Sequence, residues 1–173
     1  MNLKEEKCLI AYYSREGNNY VDGRIVNLSI GNTEVVAKII QEITEGDLFQ
    51  IDTVNSYPED YTETTNVAKK EQDDNARPEL STHVKNMDSY NVILLGYPNW
   101  YGTMPMALCT FLEEYDFFGK TIIPFCTHEG GGLGRSENDI AKLCPQSTIF
   151  DGLAIRGRDV KNSQNDISKW LVI

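Results

Sequence analysis

The chain has 173 residues, enough for one compact domain with a full core. At 40% hydrophobic residues it is not a disordered chain, and a formal net charge of −10 argues against a nucleic-acid binder, which needs clustered Lys and Arg. No stretch is long and apolar enough to cross a membrane, and residues 1–7 hold no signal-peptide core, so the cytoplasm is the expected compartment.

Residues 8–13 form an apolar run through Leu9, Ile10, Ala11, Tyr12 and Tyr13, as expected of a strand covered on both faces. A polar stretch rich in Gly and Asn follows. It closes on Gly31, Asn32 and Thr33, which open a helix over 33–45 with Val35, Val36, Ile39, Ile40 and Ile43 on one face and Gly46 as its stop. Residues 47–53 read as a short, half-polar edge strand. A solvated helix is expected over 56–75, with Pro58 in its first turn, and a helical turn over 79–87.

Val92, Ile93, Leu94, Leu95 and Gly96 give the most apolar strand, read as central. The loop over 97–103 leads to a helix beginning near Met104 and Pro105 and ending before Gly119. Residues 121–126 are the fourth strand, although Pro124 removes a ladder donor and argues against a central position. The loop over 127–132 precedes a helix over 135–143. A fifth strand over 148–155 is bulged at Gly152. A last helix starts at Ser163 as N-cap with Asp166 three residues on, burying Ile167, Trp170 and Leu171.

Five strands alternating with about five helices describe one α/β domain with a parallel sheet. Right-handed crossovers bring the loops after strands one, three and four to one carboxyl edge, where ligands bind. The first loop offers Ser14, Arg15, Asn32 and Thr33, together with the exposed N–H groups of a helix start, a setting suited to an anion. Arg15 is left between that anion and Glu16. The second carries Trp100 and Tyr101, large aromatics suited to stacking on a planar ligand. The third contains Gly130, Gly131 and Gly132, which admit a ligand close to the backbone. Together they describe a flat ring with a phosphate tail.

The four cysteines, Cys8, Cys109, Cys126 and Cys144, have no metal-type spacing and read as reduced core thiols. Two histidines do not make a zinc centre. The P-loop and the dinucleotide G-x-G-x-x-G are absent. A nucleophile built from Cys126 and His128 is a weak reading.

In these residues the chain resembles the flavodoxin-like family of FMN-binding proteins. The likeness lies in Ala11-Tyr12-Tyr13-Ser14-Arg15-Glu16-Gly17, Gly31-Asn32-Thr33-Glu34, the run from Gly96 to Pro105, and Phe125-Cys126-Thr127-His128-Glu129-Gly130. It implies a three-layer sandwich with a five-stranded parallel sheet in the order 2-1-3-4-5 and one non-covalent FMN. Ser14, Asn32 and Thr33 would then hold the phosphate, with Arg15 beside it. Pro98, Asn99, Trp100, Tyr101, Gly102 and Thr103 would border the ring, and Thr127, His128, Glu129 and Gly130 to Gly132 would meet its pyrimidine end. The compact phosphate loop of the family is split here by a loop insertion over 15–30. The Gly-Asn pairs at 17–18 and 31–32 compete for the phosphate, and the helix start favours the second. The peptide between Tyr101 and Gly102 is a candidate to rotate toward the ring. The implied role is electron transfer through the flavin, either to a partner protein or in an NAD(P)H-dependent quinone or flavin reductase. A binding module that has lost its flavin is the third reading.

Overall fold

The computed structural model describes residues 1–172. The sheet is parallel and is built from β1 (Cys8–Tyr12), β4 (Asp47–Gln50), β5 (Val92–Pro98), β6 (Thr121–His128), β7 (Thr148–Ile149) and β8 (Leu153–Arg156). Its order is β4-β1-β5-β6-β7, with β8 also pairing β6. Since β7 and β8 are two pieces of one edge strand, this is the expected order 2-1-3-4-5. Among the described residues no helix is long and apolar enough to cross a membrane.

The break in that edge strand explains Pro124. Ile122 of β6 pairs with Ile149, and pairing resumes only at Phe125 with Leu153. Pro124 therefore sits opposite the three residues, 150–152, where the edge strand leaves the ladder. A proline is tolerated at a bulge because no partner carbonyl awaits its missing N–H. On its other side Pro124 remains in register with Leu95 of β5.

Helices cover both faces: α1 (Asn32–Thr44), α2 (Tyr61–Asp73), α3 (Met106–Glu114), α4 (Ser136–Leu143) and α5 (Gln164–Trp170). Alternation along β1 sends Leu9, Ala11 and Tyr13 into a core with Phe111 and Leu112 of α3 and Ile140 of α4. Cys8, Ile10 and Tyr12 enter the opposite core with Val36 and Ile40 of α1 and Ile167 of α5. All four cysteines are free and buried.

Several local expectations change. Residues 15–30 are not an open loop. They contain an antiparallel hairpin, β2 (Gly17–Val21) and β3 (Arg24–Leu28). Asp22 and Gly23 turn it with φ of 51° and 86°, the paired positive angles of a two-residue hairpin turn. α2 starts after Pro58, capped by Asp60, whose carboxylate accepts the Glu63 N–H at 2.9 Å. The stretch 79–87 is no helix: Leu80 bridges to Thr53, and only Met87–Ser89 makes a 3-10 turn. α1 ends on Glu45 in the left-handed region rather than on Gly46. Ser163 holds the N-cap position of α5 as expected, but its side chain makes no capping bond; its hydroxyl donates back to the Val160 carbonyl at 2.7 Å.

Candidate functional site

β1 delivers Ser14 beside the start of α1. The Ser14 hydroxyl accepts the Glu34 N–H at 3.1 Å, so it caps α1 from outside the helix. Gly31 stands at the cap position because a Cβ there would press on the Ser14 hydroxyl and lie 2.7 Å from the Arg15 carbonyl oxygen. With Glu34 served by Ser14, the first-turn N–H groups of Asn32 and Thr33 are left for an outside acceptor. Of the two Gly-Asn pairs, 31–32 is the one at a helix start; 17–18 lies in β2.

The loops after β1, β5 and β6 converge and are cross-bolted. The hydroxyls of Thr33 and Thr127 share a buried hydrogen bond at 2.8 Å. Asn99 reaches both ways: its amide donates to the Gly132 carbonyl at 2.7 Å, and its side-chain oxygen accepts the Gly102 N–H at 2.9 Å. Its backbone N–H goes to the Thr127 carbonyl. The hairpin tip is tied down too: Glu129 accepts the Asp22 N–H at 2.9 Å, and Arg158 pairs with Asp22 at 3.0 Å.

Two joined clefts open at this edge. The inner one, of about 130 Å³, is bounded by Asn32 and Thr33, by Pro98, Asn99 and Trp100, by Thr127, His128 and Glu129, and by Arg15, Asn19, Tyr20 and Tyr61. The outer one, of about 220 Å³, shares Arg15, Asn19, Tyr61, Asn99 and Trp100 and adds Tyr101 and the α2 residues Thr64, Thr65 and Ala68. Nine of the residues singled out from the sequence thus line the inner cleft.

The others stand apart from it. Ser14 faces a neighbouring polar groove with Tyr57 and Asp52. Thr103 is buried, donates to Asp139 at 2.7 Å and lies beside a different groove, against α3 and α4. Gly102 and Gly130 to Gly132 shape the loops without lining either cleft. The peptide between Tyr101 and Gly102 is held at both ends. Its N–H goes to Asn99, and its carbonyl accepts from Gln72 and Arg135, each at 3.3 Å. Tyr101 carries a φ of 52°, a strained value for a residue with a side chain, in the turn that this bonding fixes.

Trp100 is clamped edge-on by Tyr13 and Tyr57, with centroids 5.4 and 5.1 Å away. Tyr101 leans on α2, its hydroxyl donating to the Thr65 carbonyl at 3.0 Å. Arg15 pairs with no carboxylate among the described residues, Glu16 included. It donates to the carbonyls of Asn18, Pro58 (2.9 Å) and Glu59 (2.8 Å) and to the Thr64 hydroxyl (3.1 Å), tying the hairpin to the approach of α2.

His128 accepts the Gly130 N–H on Nδ1 at 2.9 Å. Burial, and then Arg156, lower its pKa from the usual value, which keeps the ring neutral at pH 7. Burial pushes the Cys126 thiol up to about 12, so it is a core group and not a nucleophile. Sequence reasoning missed Tyr20 and Tyr61, whose rings stack at 6.0 Å and 27° between hairpin and α2. The signal for Tyr20 was the Asp22-Gly23 hairpin turn; Tyr61 carried none beyond its aromatic type.

Residues 7–172 match the family model described as Flavodoxin. No curated protein matches the chain. A Bacteroides uniformis structure described provisionally as a flavoprotein aligns with a TM-score of 0.78 at 25% identity, over 96% of this chain and 97% of its own. One from Bacteroides eggerthii, described in the same terms, gives 0.72 at 25% identity over 94% and 98%. A flavoprotein of Lactobacillus acidophilus in complex with FMN gives 0.68 at 22% identity over 94% and 99%, a likeness of fold.

Proposed function

Because this chain belongs to the flavodoxin family, we propose that its two joined clefts together hold FMN without a covalent link and that the protein is a redox flavoprotein. One observation carries this reading. The first turn of α1, with the N–H groups of Asn32 and Thr33 to spare, opens into a cleft bounded by Trp100 and Tyr61. Helix-start N–H groups and the local dipole suit a phosphate. The aromatic rings suit a flat heterocycle. Arg15, with no carboxylate partner among the described residues, lines the same cleft and adds positive potential there.

Bound FMN supplies reversible electron transfer; the protein supplies its seat and its surroundings. Asn32 and Thr33 would bind the phosphate, and Trp100, Tyr61 and the loop from Thr127 to Glu129 would orient the ring. The neutral His128 avoids placing a second positive charge at the cleft wall. A net charge of −10 suits a redox partner protein with a basic docking face. An NAD(P)H-dependent quinone or flavin reductase is the other reading. Four buried free thiols suit a reducing compartment, which makes the cytoplasm its proposed location.

The test is direct. The purified protein should be yellow, and the stripped protein should take up FMN more tightly than riboflavin by about tenfold or more, the phosphate being the difference. A colourless protein that takes up no FMN ends the proposal. Equal affinity for riboflavin removes the phosphate role of α1. Mixing with NADPH then separates the two redox readings: fast bleaching marks a reductase, and none marks a carrier.

A further inference from the structure

A separate groove lies on the other side of an aromatic partition. Trp100 lines both clefts of the proposed flavin site, whereas Tyr13 and Tyr57, which clamp it edge-on, line this groove instead. Arg15 is the one residue that the groove shares with the clefts. Its volume of about 520 Å³ falls in the range of small-ligand sites.

Its rim is acidic. Glu16, Asp52 and Glu59 are exposed there, and none has a cation partner among the described residues. Glu34 does have one, since the Lys38 ammonium lies 2.7 Å away. The Arg15 guanidinium is engaged by the carbonyls of Asn18, Pro58 and Glu59 and by the Thr64 hydroxyl. Three unpaired carboxylates against one arginine repel a phosphate and attract a cation. A single metal ion does not answer them: among the described residues no three acidic side chains form a group that could hold one. The charges to be met are spread along the groove.

The floor adds a second feature. Tyr13 is only 5% exposed, yet its hydroxyl has no hydrogen-bond partner among the described residues. That hydroxyl is not sealed in, because Thr110 Oγ1 is the one buried side-chain atom there that lacks both a partner and solvent. It therefore opens on the groove that Tyr13 lines. Arg15 and Asp52 of the groove wall are among the charges that act on it. Burial, the largest influence, holds its pKa well above the usual range, so the hydroxyl stays neutral and its oxygen can accept. An acceptor at the floor and carboxylates along the rim call for N–H donors that carry positive charge at several points.

We propose that this groove binds a linear polyammonium compound of the polyamine class. One ammonium end reaches the floor and donates to the Tyr13 hydroxyl oxygen. The remaining ammonium groups lie against the carboxylates of Glu16, Asp52 and Glu59, with the methylene stem along the Tyr57 side. A lysine of a docked protein has the same head but one charge per stem, which leaves most of the rim unanswered. The site stands across the aromatic partition from the clefts and does not depend on what they hold.

The experiment is calorimetric titration of the purified full-length protein with spermidine at about 0.15 M salt, where loose surface attraction is screened beyond roughly 8 Å. Wild-type protein should bind spermidine saturably, and more tightly than Nα-acetyl-lysine amide by about tenfold or more. The double variant Asp52→Asn, Glu59→Gln should weaken spermidine by about tenfold or more. Asn at 52 keeps the acceptor for the Thr53 N–H, which Asp52 holds at 2.9 Å. Tyr13→Phe keeps the ring against Tyr57 and Trp100 and removes the acceptor, and should weaken spermidine by about three- to tenfold. The control Glu5→Gln, Asp88→Asn removes two charges at the opposite, amino edge of the sheet, before β1 and β5, and should stay within about twofold. Circular dichroism establishes that each variant is folded. No saturable binding by wild type overturns the proposal. So does an equal loss in the control and groove variants, which would mark general acidity, or undiminished binding by Tyr13→Phe. Binding of Nα-acetyl-lysine amide as tight as that of spermidine also overturns it, because the groove would then read one ammonium, as on a docked protein.

Discussion

The interior of the sheet and its loop rim are held by different forces. Inside, Ile10, Leu94, Ile123 and Phe125 are wholly buried against α1 and α5, and their side chains contribute through area and close packing. At the rim the same strands end in directional bonds: Thr33 to Thr127, Ser14 to α1, Asn99 to two loops and Glu129 to the hairpin. Apolar packing supplies much free energy but little directional specificity. A rim hydrogen bond nets only about 1 kcal/mol, yet it fixes a loop position. Stability therefore resides mainly in the interior, and the shape of the clefts resides in the rim.

Phe125→Ala presses hardest on that division. It should cost about 3–5 kcal/mol in urea unfolding, since the residue is fully buried. FMN affinity of the folded protein should hold within about twofold, the mutation being off the rim. A parallel loss of affinity would break the distinction. Asn99→Ala should do the reverse. Losing its links to Gly132 and Gly102 should cost about 1–2 kcal/mol of stability while FMN affinity, by calorimetric titration, falls by about tenfold. Unchanged affinity would mean that the two loops hold their places without it.

His128 gives the smallest effect and a pH signature. Its pKa is lowered in the folded protein from 6.5, so below that value the unfolded chain binds the proton more readily than the fold does. Its contribution is intact above pH 6.5 and is lost as the pH falls from there toward the folded value. The melting temperature should fall between pH 7 and 5.5, and His128→Gln should flatten part of that fall. An identical slope in the variant would remove His128 as its source.

Much of the interior was legible because strands buried on both faces read as unbroken apolar runs, as in Val92 to Leu95. Pro124 looked wrong for a central strand until its partner strand proved to be broken opposite it. At the rim, Gly31-Asn32-Thr33 was readable as a helix start, and Trp100 as an aromatic with a loop position. The hairpin was not, although Asp22-Gly23 between Tyr20-Val21 and Arg24-Ile25 is a strong turn signal. The Gly17-Asn18 pair drew the reading toward a phosphate loop. Tyr61 was out of reach for another reason: where α2 sits is set by Arg15 gripping the carbonyls of Pro58 and Glu59, a tertiary contact without a local pattern.

The hairpin has a consequence for how the molecule is made. β2 and β3 pair within a dozen residues of each other, so the ribbon itself can form as soon as it is synthesised. Its anchors, Glu129 and Arg158, lie in the last third of the chain. At roughly 5–20 residues per second, Arg158 follows Asp22 from the ribosome by on the order of ten seconds. For most of that interval β1 and the start of α1 exist while the third loop does not. The hairpin tip is fastened by the newest part of the polypeptide, so a truncated chain has the α1 end of the cleft and the hairpin held toward α2 by Arg15 and Tyr20, but its tip is unanchored.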